Sequence, residues 1–201
     1  LICNFTGQIF HYLFTILLCT KKTSISILQK IKEEIFSAEL RATYKLNPTD
    51  FTRNRKQSFA MNLLLILRRL TKSLALEIES FITVLRQECN LLDTNAFTTS
   101  AFVQSRRKIS PAVFIHLSSS LVREFYTENE DNVKLWCGFR VLAVDGSLIH
   151  LPITKELASI YGTFHNQSET YVVQGRVSVL YDVLNHYIID GSLSARNLGE
   201  R

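Results

Sequence analysis

Apolar residues recur at every third or fourth position from Ser24 onward, which is the spacing of an amphipathic helix. One face of the first predicted helix contains Leu28, Ile31, Ile35 and Ala38. Asn47-Pro48 ends this pattern, because proline disfavours a helical residue before it, and Thr49 or Asp50 is predicted to cap the next helix. A broad apolar face then extends from Phe59 through Leu85, as one long helix or two shorter ones.

A further helix is predicted to begin at Ser110-Pro111, since serine followed by proline is a common helix start. The helix before it ends near Ile109, so two helices meet at a short turn. Such a turn is compatible with a helix-turn-helix and equally with any helical hairpin.

Glycine separates this helical part from a β-rich part. None occurs between Gly7 and Gly138, whereas five more follow Gly138. Strands are predicted at about 139–152, 171–184 and 187–194, the first buried on both faces, and a tight Asn185-His186 hairpin joins the last two. These patterns predict an α+β or mixed α/β fold in three segments: 1–20 unassigned, 21–135 helical and 136–201 β-rich.

Residues 1–20 contain an apolar run at 9–19 that is too short to span a bilayer, which needs about 20 apolar residues. The run also lacks the basic start and cleavage site of a signal peptide. We interpret it as a packed helix or as upstream sequence that is not native coding, and we expect no membrane partner. A membrane-associated protein anchored through this run is the weaker alternative.

The composition is that of a globular protein, with 46% hydrophobic and 20% charged residues and a formal net charge of +5. The positive charge permits a polyanionic partner without requiring one. The four cysteines are far apart and form no C-x-x-C pair, which favours a reducing cytoplasm over a disulfide framework. They are Cys3, Cys19, Cys89 and Cys137.

Asp145 is the first candidate for chemistry, because it follows an apolar strand and precedes a glycine. A carboxylate delivered to a buried sheet needs a cation, a donor or water. An ordinary Asp-Gly turn explains the same pattern equally well. A zinc site formed by His150, His165 and His186 is a minor alternative, since their spacing is not that of metal ligands. No phosphate-binding glycine loop and no G-x-S-x-G motif is present.

Several motifs in a fixed order resemble a known family. They are W-C-G-F-R-V-L-A-V-D-G-S-L-I-H-L-P at 136–152, D-F-T-R-N-R-K at 50–56, S-A-F-V-Q-S-R-R-K-I-S-P at 100–111, S-V-L-Y-D-V-L-N at 178–185 and the terminal G-E-R. Together they resemble cut-and-paste DDE transposases of bacterial insertion sequences, in the fourth insertion-sequence group. The resemblance covers about residues 24–201.

The resemblance implies an RNase H-like catalytic domain in which three acids hold two divalent metals, Mg²⁺ or Mn²⁺. Asp145 matches the first acid. The second aspartate and the glutamate lie beyond G-E-R in the family, and Asp182, Asp190 and Glu200 do not match their positions. We therefore interpret the sequence as an N-terminal fragment with the first three strands of that domain, and expect it alone neither to cleave nor to join DNA.

Basic residues are the second candidate feature, and Lys and Arg neutralise phosphate charge when DNA binds. Those we expect to contact DNA are Arg53, Arg55, Lys56, Arg106, Arg107 and Lys108. A solvated helix face is the alternative explanation of such a charge run. The resemblance implies binding to the terminal inverted repeats of double-stranded DNA, a homodimer in a synaptic complex, and a cytoplasmic, nucleoid-associated location. A non-catalytic DNA-binding or regulatory module is the competing function.

Overall fold

The computed structural model describes residues 23–53, 57–68, 71–87, 95–128, 130, 133–165 and 171–197. Seven helices and four strands lie within these ranges, and the chain divides into two compact units between Leu121 and Val122. The mixed α/β class predicted from the sequence is confirmed. The apolar segment at 1–20 lies outside the described residues.

The first unit, called here the helical unit, is built from six of the described helices, three of which begin at a side-chain cap. They are α1 (Thr23–Phe36), α2 (Ala38–Tyr44), α3 (Phe59–Leu67), α4 (Leu74–Gln87), α5 (Thr99–Arg106) and α6 (Ala112–Glu128), whose residues after Leu121 belong to the second unit. The hydroxyls of Ser37, Ser58 and Thr98 accept hydrogen bonds from backbone N–H groups in the first turns of α2, α3 and α5. Ser58, rather than Thr49 or Asp50, caps α3.

The core of the helical unit follows the predicted periodicity with a small shift. Ile27, Ile31 and Ile35 are buried at four-residue spacing along α1, so the buried face is centred one position away from Leu28. The apolar side chains that are at most 2% exposed in the other helices are Phe59, Leu63, Leu65, Phe102, Val113, Phe114, Leu117 and Leu121. His116 Nε2 lies 2.6 Å from Glu34 Oε1 and links α6 to α1.

The apolar stretch from Phe59 to Leu85 forms two helices because Glu77 stabilises a turn between them. Its Oε1 accepts hydrogen bonds from the backbone N–H groups of Thr71 and Lys72, each at 2.8 Å. Arg68 Nε lies 3.9 Å from Oε2 of the same carboxylate. Glu77 is 4% exposed, so these donors compensate the burial of its charge.

We expect Glu77→Gln to reduce the pH dependence of stability. The donors at Thr71 and Lys72 hold the pKa of Glu77 below its usual value and outweigh burial, which raises it. This carboxylate therefore stabilises the fold above its unfolded pKa of about 4.3, and the stabilisation is lost as the pH falls through the folded pKa. Urea unfolding should show a cost of about 1–2 kcal/mol at neutral pH that shrinks below about pH 4. Glu79→Gln, at an exposed position of the same helix, is the control. A cost of Glu77→Gln that is equal at every pH would contradict the prediction.

The predicted turn between two helices is present between α5 and α6, where Ile109 and Ser110 lie. Its backbone pairs with the end of α2: Ser110 N donates to Tyr44 O at 2.8 Å, and Leu46 N donates to Lys108 O at 2.9 Å. These bonds bring the chain that follows α2 next to the basic residues at the end of α5.

The second unit, called here the sheet unit, is built on an antiparallel sheet. Its elements are β1 (Leu142–Leu151), α7 (Lys155–Tyr161), β2 (Phe164–His165), β3 (Tyr171–Asp182) and β4 (Tyr187–Ala195). The long strand β3 pairs with β1, with β4 and, at its start, with the two-residue strand β2. The three predicted strands thus form the order β1-β3-β4, with α7 in the connection between the first two.

Strand β1 is more exposed than its sequence predicts. Val144 is 62% exposed and Leu142 is 46% exposed, although four consecutive apolar residues predict burial on both faces. Among the described residues β1 pairs with β3 alone, whereas α7 packs against β3 and β4. Burial is therefore concentrated in β3, at Val173 and Val177, and the prediction for β1 was wrong.

The connection between β3 and β4 is longer than predicted. It comprises residues 183–186, and the left-handed residue is His186, with a φ of 57°. Asn185 contributes through its side chain instead, as described below.

Candidate functional site

Asp145 lies in the middle of β1, directly opposite Val179 of β3. Its side chain is exposed, and its Oδ1 accepts a hydrogen bond from the N–H of Gly146 at 2.8 Å. The carboxylate is therefore open to solvent and to a ligand, and its charge needs no buried partner. This local bond is also what an ordinary Asp-Gly pair forms, so the environment is compatible with both interpretations of the sequence.

Asp190 is the nearest acid in the sheet register, but it lies on the other face. It pairs with Leu180, whereas Asp145 pairs with Val179. Consecutive residues of a strand point to opposite faces, and paired residues share a face. The two carboxylates therefore cannot ligate one metal ion.

The described ranges contain no group of three His, Cys, Asp or Glu side chains that is placed to hold a metal ion. Asp145 alone does not fit a two-metal site, because Mg²⁺ requires octahedral oxygen coordination and each ion needs protein ligands. Two of the histidines considered for zinc have separate partners: His150 lies beside Gln174, and His186 beside the Tyr181 hydroxyl.

Asp182 is buried and serves as a structural acceptor. Its Oδ2 accepts a hydrogen bond from the Tyr126 hydroxyl at 2.6 Å, and its Oδ1 accepts from the backbone N–H groups of Leu184 and Asn185. Burial raises the pKa of Asp182, but the donors, led by Tyr126, outweigh it and hold the pKa below its usual value. The aspartate of the Y-D-V-L-N motif therefore has a structural role.

Asn185 extends the same network to the chain before β1. Its Nδ2 donates to both oxygens of Asp182 and to Lys134 O, and its Oδ1 accepts from Lys134 N at 2.8 Å. The Arg140 guanidinium lies 4.6 Å from the centre of the Tyr126 ring. The network joins the end of α6, the segment before β1 and the β3–β4 connection, so it positions the strand that carries Asp145.

The two basic segments meet at one cleft of the helical unit, called here the basic cleft. It has a volume of about 840 Å³ and is lined by residues 49–53, by Gln57 and by residues from 96 to 108. Arg53 comes from the first segment and Lys108 from the second. Arg55 and Lys56 lie outside the described residues, next to Arg53 in the chain.

An ion pair forms one wall of the basic cleft. Lys108 Nζ lies 3.2 Å from Oδ1 of Asp50, whose Oδ2 accepts hydrogen bonds from the backbone and side-chain nitrogens of Asn47. Burial raises the pKa of Asp50, but the bonds from Asn47 and Lys108 outweigh it, and the pKa lies below its usual value. The charge of Lys108 is thus partly neutralised within the protein.

The other basic candidates differ in their surroundings. Arg106 has its guanidinium 5.9 Å from the centre of the Phe102 ring, and Arg107 is exposed at the C-terminal cap of α5. Arg53 is exposed at the rim of the cleft. Arg53 and Arg107 are therefore the described candidates most open to a polyanion.

Sequence reasoning missed the other residues of the basic cleft. Phe51, Gln57, Phe97 and Gln104 line it, although none belongs to a charged or metal-ligating pattern. Phe51 adopts a left-handed backbone with a φ of 56°, which is uncommon for a residue other than glycine. The signals in the sequence that pointed to this region were its two basic runs, at 53–56 and 106–108.

Within the described ranges, no helix has both the length and the apolar character that crossing a membrane requires. Comparison of the chain with protein-family models, with curated proteins and with solved structures finds no significant match in any of the three.

Proposed function

We propose that the chain is a DNA-binding protein of the DDE transposase type, whose helical unit binds double-stranded DNA. The observation that carries this proposal is the meeting of two separate basic segments at one cleft, represented by Arg53 and Lys108. The second segment also contains Arg106 and Arg107. In the sequence, the first segment also contains Arg55 and Lys56.

The charge pattern fits a phosphate backbone better than a small acidic ligand. Arg53 and Arg107 are exposed, and Lys108 is partly exposed beside Asp50. Exposed cations with few internal partners release counterions from DNA when they approach phosphates, and this supplies sequence-independent affinity. The terminal inverted repeats implied by the family resemblance are the proposed target.

Titration of a fluorescein-labelled duplex with the purified chain, followed by fluorescence anisotropy, tests the DNA-binding proposal. The Arg53→Gln/Arg107→Gln double variant should bind about 100-fold more weakly at low salt, since each lost phosphate contact costs about tenfold. Lys32→Gln/Arg123→Gln removes two exposed charges elsewhere and is the matched control. Equal affinities of the two double variants would contradict the proposal.

We also propose that Asp145 is one ligand of a divalent metal, Mg²⁺ or Mn²⁺, in an RNase H-like domain that begins with β1, β3 and β4. Its support is an exposed carboxylate on the first strand of an antiparallel β1-β3-β4 order. A metal held there would supply the positive charge that phosphodiester chemistry requires. Other acids must complete the site, because Asp190 points to the opposite face and Asp182 is already hydrogen-bonded.

The chain alone should not nick supercoiled plasmid in millimolar Mg²⁺ or Mn²⁺, because the described residues contain no group of three acids placed to hold metal ions. Agarose-gel analysis of plasmid topology measures this, with Asp145→Ala and Asp190→Ala as paired variants. Metal-dependent nicking by the chain that Asp145→Ala abolishes and Asp190→Ala leaves unchanged would contradict the expectation.

A non-catalytic DNA-binding or regulatory module is the second candidate. It is favoured by the single bond from Gly146 to Asp145, which an ordinary Asp-Gly pair also forms. Under this function Asp145→Ala changes neither DNA binding nor any metal effect on stability. The homodimer in a synaptic complex and the nucleoid-associated location remain predictions of the family resemblance.

A further inference from the structure

We propose that the basic cleft holds one unpaired nucleotide of the bound DNA, so that the helical unit recognises a junction between duplex and single strand. This inference rests on the proposed DNA-binding function and names the part of the DNA that enters the cleft. It is argued from the size of the cleft, from the chemistry of its lining and from the position of its charges.

The size of the cleft favours a single nucleotide. Its volume of about 840 Å³ lies in the range of pockets that enclose small organic ligands. A double helix is too wide to enter such a space, so an intact duplex touches only the rim, where Arg53 is exposed. A nucleotide displaced from the stack can reach the interior.

The lining combines aromatic surface with hydrogen-bonding groups. Phe51 and Phe97 offer rings on which a base can stack, and base–aromatic stacking tolerates any base. Gln57 and Gln104 offer amides that can bond to a base edge. Phosphate binding alone would not use the two aromatic rings.

Gln57 has an unused donor. Its Nε2 is buried and has no hydrogen-bond partner among the described residues. Buried polar atoms are nearly always hydrogen-bonded, and an exception calls for an explanation. A carbonyl oxygen or ring nitrogen of a bound base would accept this hydrogen bond.

The charges of the cleft favour the phosphate of the same nucleotide. Thr98 and Ala101 line the cleft at the N-terminal end of α5, where the helix dipole favours an anion. Arg53 adds a positive charge at the rim. Asp50 is the acid of the lining, and Lys108 neutralises it at 3.2 Å. The aromatic rings and the cation of the lining thus match the two ends of one nucleotide.

Anisotropy titrations with three labelled duplexes test this inference: one blunt, one with a single unpaired nucleotide, and one with the same overhang made abasic. The unpaired nucleotide should tighten binding about tenfold, in line with stacking of one base. The abasic overhang should give no gain. Gln57→Leu and Phe97→Leu should remove the gain, which is measured for each variant as the ratio of its overhang affinity to its blunt-duplex affinity.

Gln29→Leu replaces an exposed glutamine on α1 and is the matched control for Gln57→Leu; it should keep the gain. Gln104→Ala alters an exposed lining residue and tests the same contact if Gln57→Leu does not fold. If the unpaired nucleotide still tightens binding about tenfold in Phe97→Leu, Gln57→Leu and Gln104→Ala, the inference is overturned.

The outcomes separate this inference from the proposed function. Equal binding of the blunt and overhang duplexes overturns the nucleotide site and leaves DNA binding intact. Binding of deoxynucleoside monophosphates without duplex binding, lost in Gln57→Leu, supports the nucleotide site and overturns the proposed function. Binding of none of these probes overturns both.

Discussion

Asp182→Ala is expected to destabilise the sheet unit by about 3–5 kcal/mol, a large share of the stability of an ordinary domain. The Asp182 side chain is fully buried and accepts hydrogen bonds from the Tyr126 hydroxyl and from backbone N–H groups of the β3–β4 connection. Alanine leaves these donors buried without an acceptor, and each then costs its full desolvation free energy. Urea unfolding followed by circular dichroism measures the loss.

Asp190→Ala is the control for Asp182→Ala. Asp190 is exposed, and its Oδ1 accepts the local bond from Gly191 N. Surface substitutions of this kind change the unfolding free energy by at most about 0.5 kcal/mol. A similar cost for both alanine variants would show that Asp182 is not the anchor that its contacts indicate.

Two tyrosines of the sheet unit give a second matched comparison. Tyr126→Phe removes the hydroxyl that donates to Asp182 and should cost about 1–2 kcal/mol. The Tyr187 hydroxyl is buried without a hydrogen-bond partner among the described residues, and burial raises the pKa of Tyr187 to about 12. Tyr187→Phe should therefore be neutral or stabilising. The reverse ranking would contradict the hydrogen-bond network.

The helical unit was largely predictable because helix periodicity is a local property of the sequence. The isoleucines of α1 and the Ser110-Pro111 start of α6 gave clear signals, and both helices are present. The cap of α3 was mispredicted because Asp50 is a good cap by residue type alone. Asp50 instead pairs with Lys108, a partner distant in sequence that no local pattern reveals.

The strands were predicted to within a few residues, but their burial was not. Four apolar residues before Asp145 resemble a strand covered on both faces, whereas Val144 is 62% exposed. Burial depends on which elements pack against a strand, and here α7 packs against β3 and β4. Asp182 illustrates the opposite case, because a charged residue at the end of a strand is fully buried. Hydrogen-bond donors from α6 and from the β3–β4 connection compensate its burial.

The candidate site was predictable only in its charges. Arg53 and Lys108 were singled out from two basic runs, and the fold brings both to the basic cleft. Phe51, Gln57 and Phe97 carry no such signal, because aromatic and amide side chains occur throughout ordinary cores and surfaces. Their role depends on the position of residues 49–53 and Gln57 relative to α5. Backbone pairing between the end of α2 and the α5–α6 turn brings the chain after α2 next to that helix.

Duplex binding is expected to weaken roughly 500-fold when the salt concentration rises from about 50 mM to about 200 mM. Five of the basic candidates are expected to meet phosphates: Arg53, Arg55, Lys56, Arg106 and Arg107. Five contacts give a slope of about −4.5 in a plot of log affinity against log salt. Lys108 is left out of the count because Asp50 already holds its ammonium at 3.2 Å.

Variants make the salt experiment quantitative. Arg53→Gln/Arg107→Gln should lower the slope to about −2.7, whereas Lys32→Gln/Arg123→Gln should leave it near −4.5. Asp50→Asn should steepen it by about 0.9, because the ammonium of Lys108 then becomes available to a phosphate. A slope near zero would mean that affinity does not come from phosphate neutralisation. A slope that is the same for Arg53→Gln/Arg107→Gln and for the unsubstituted chain would place the DNA on another surface.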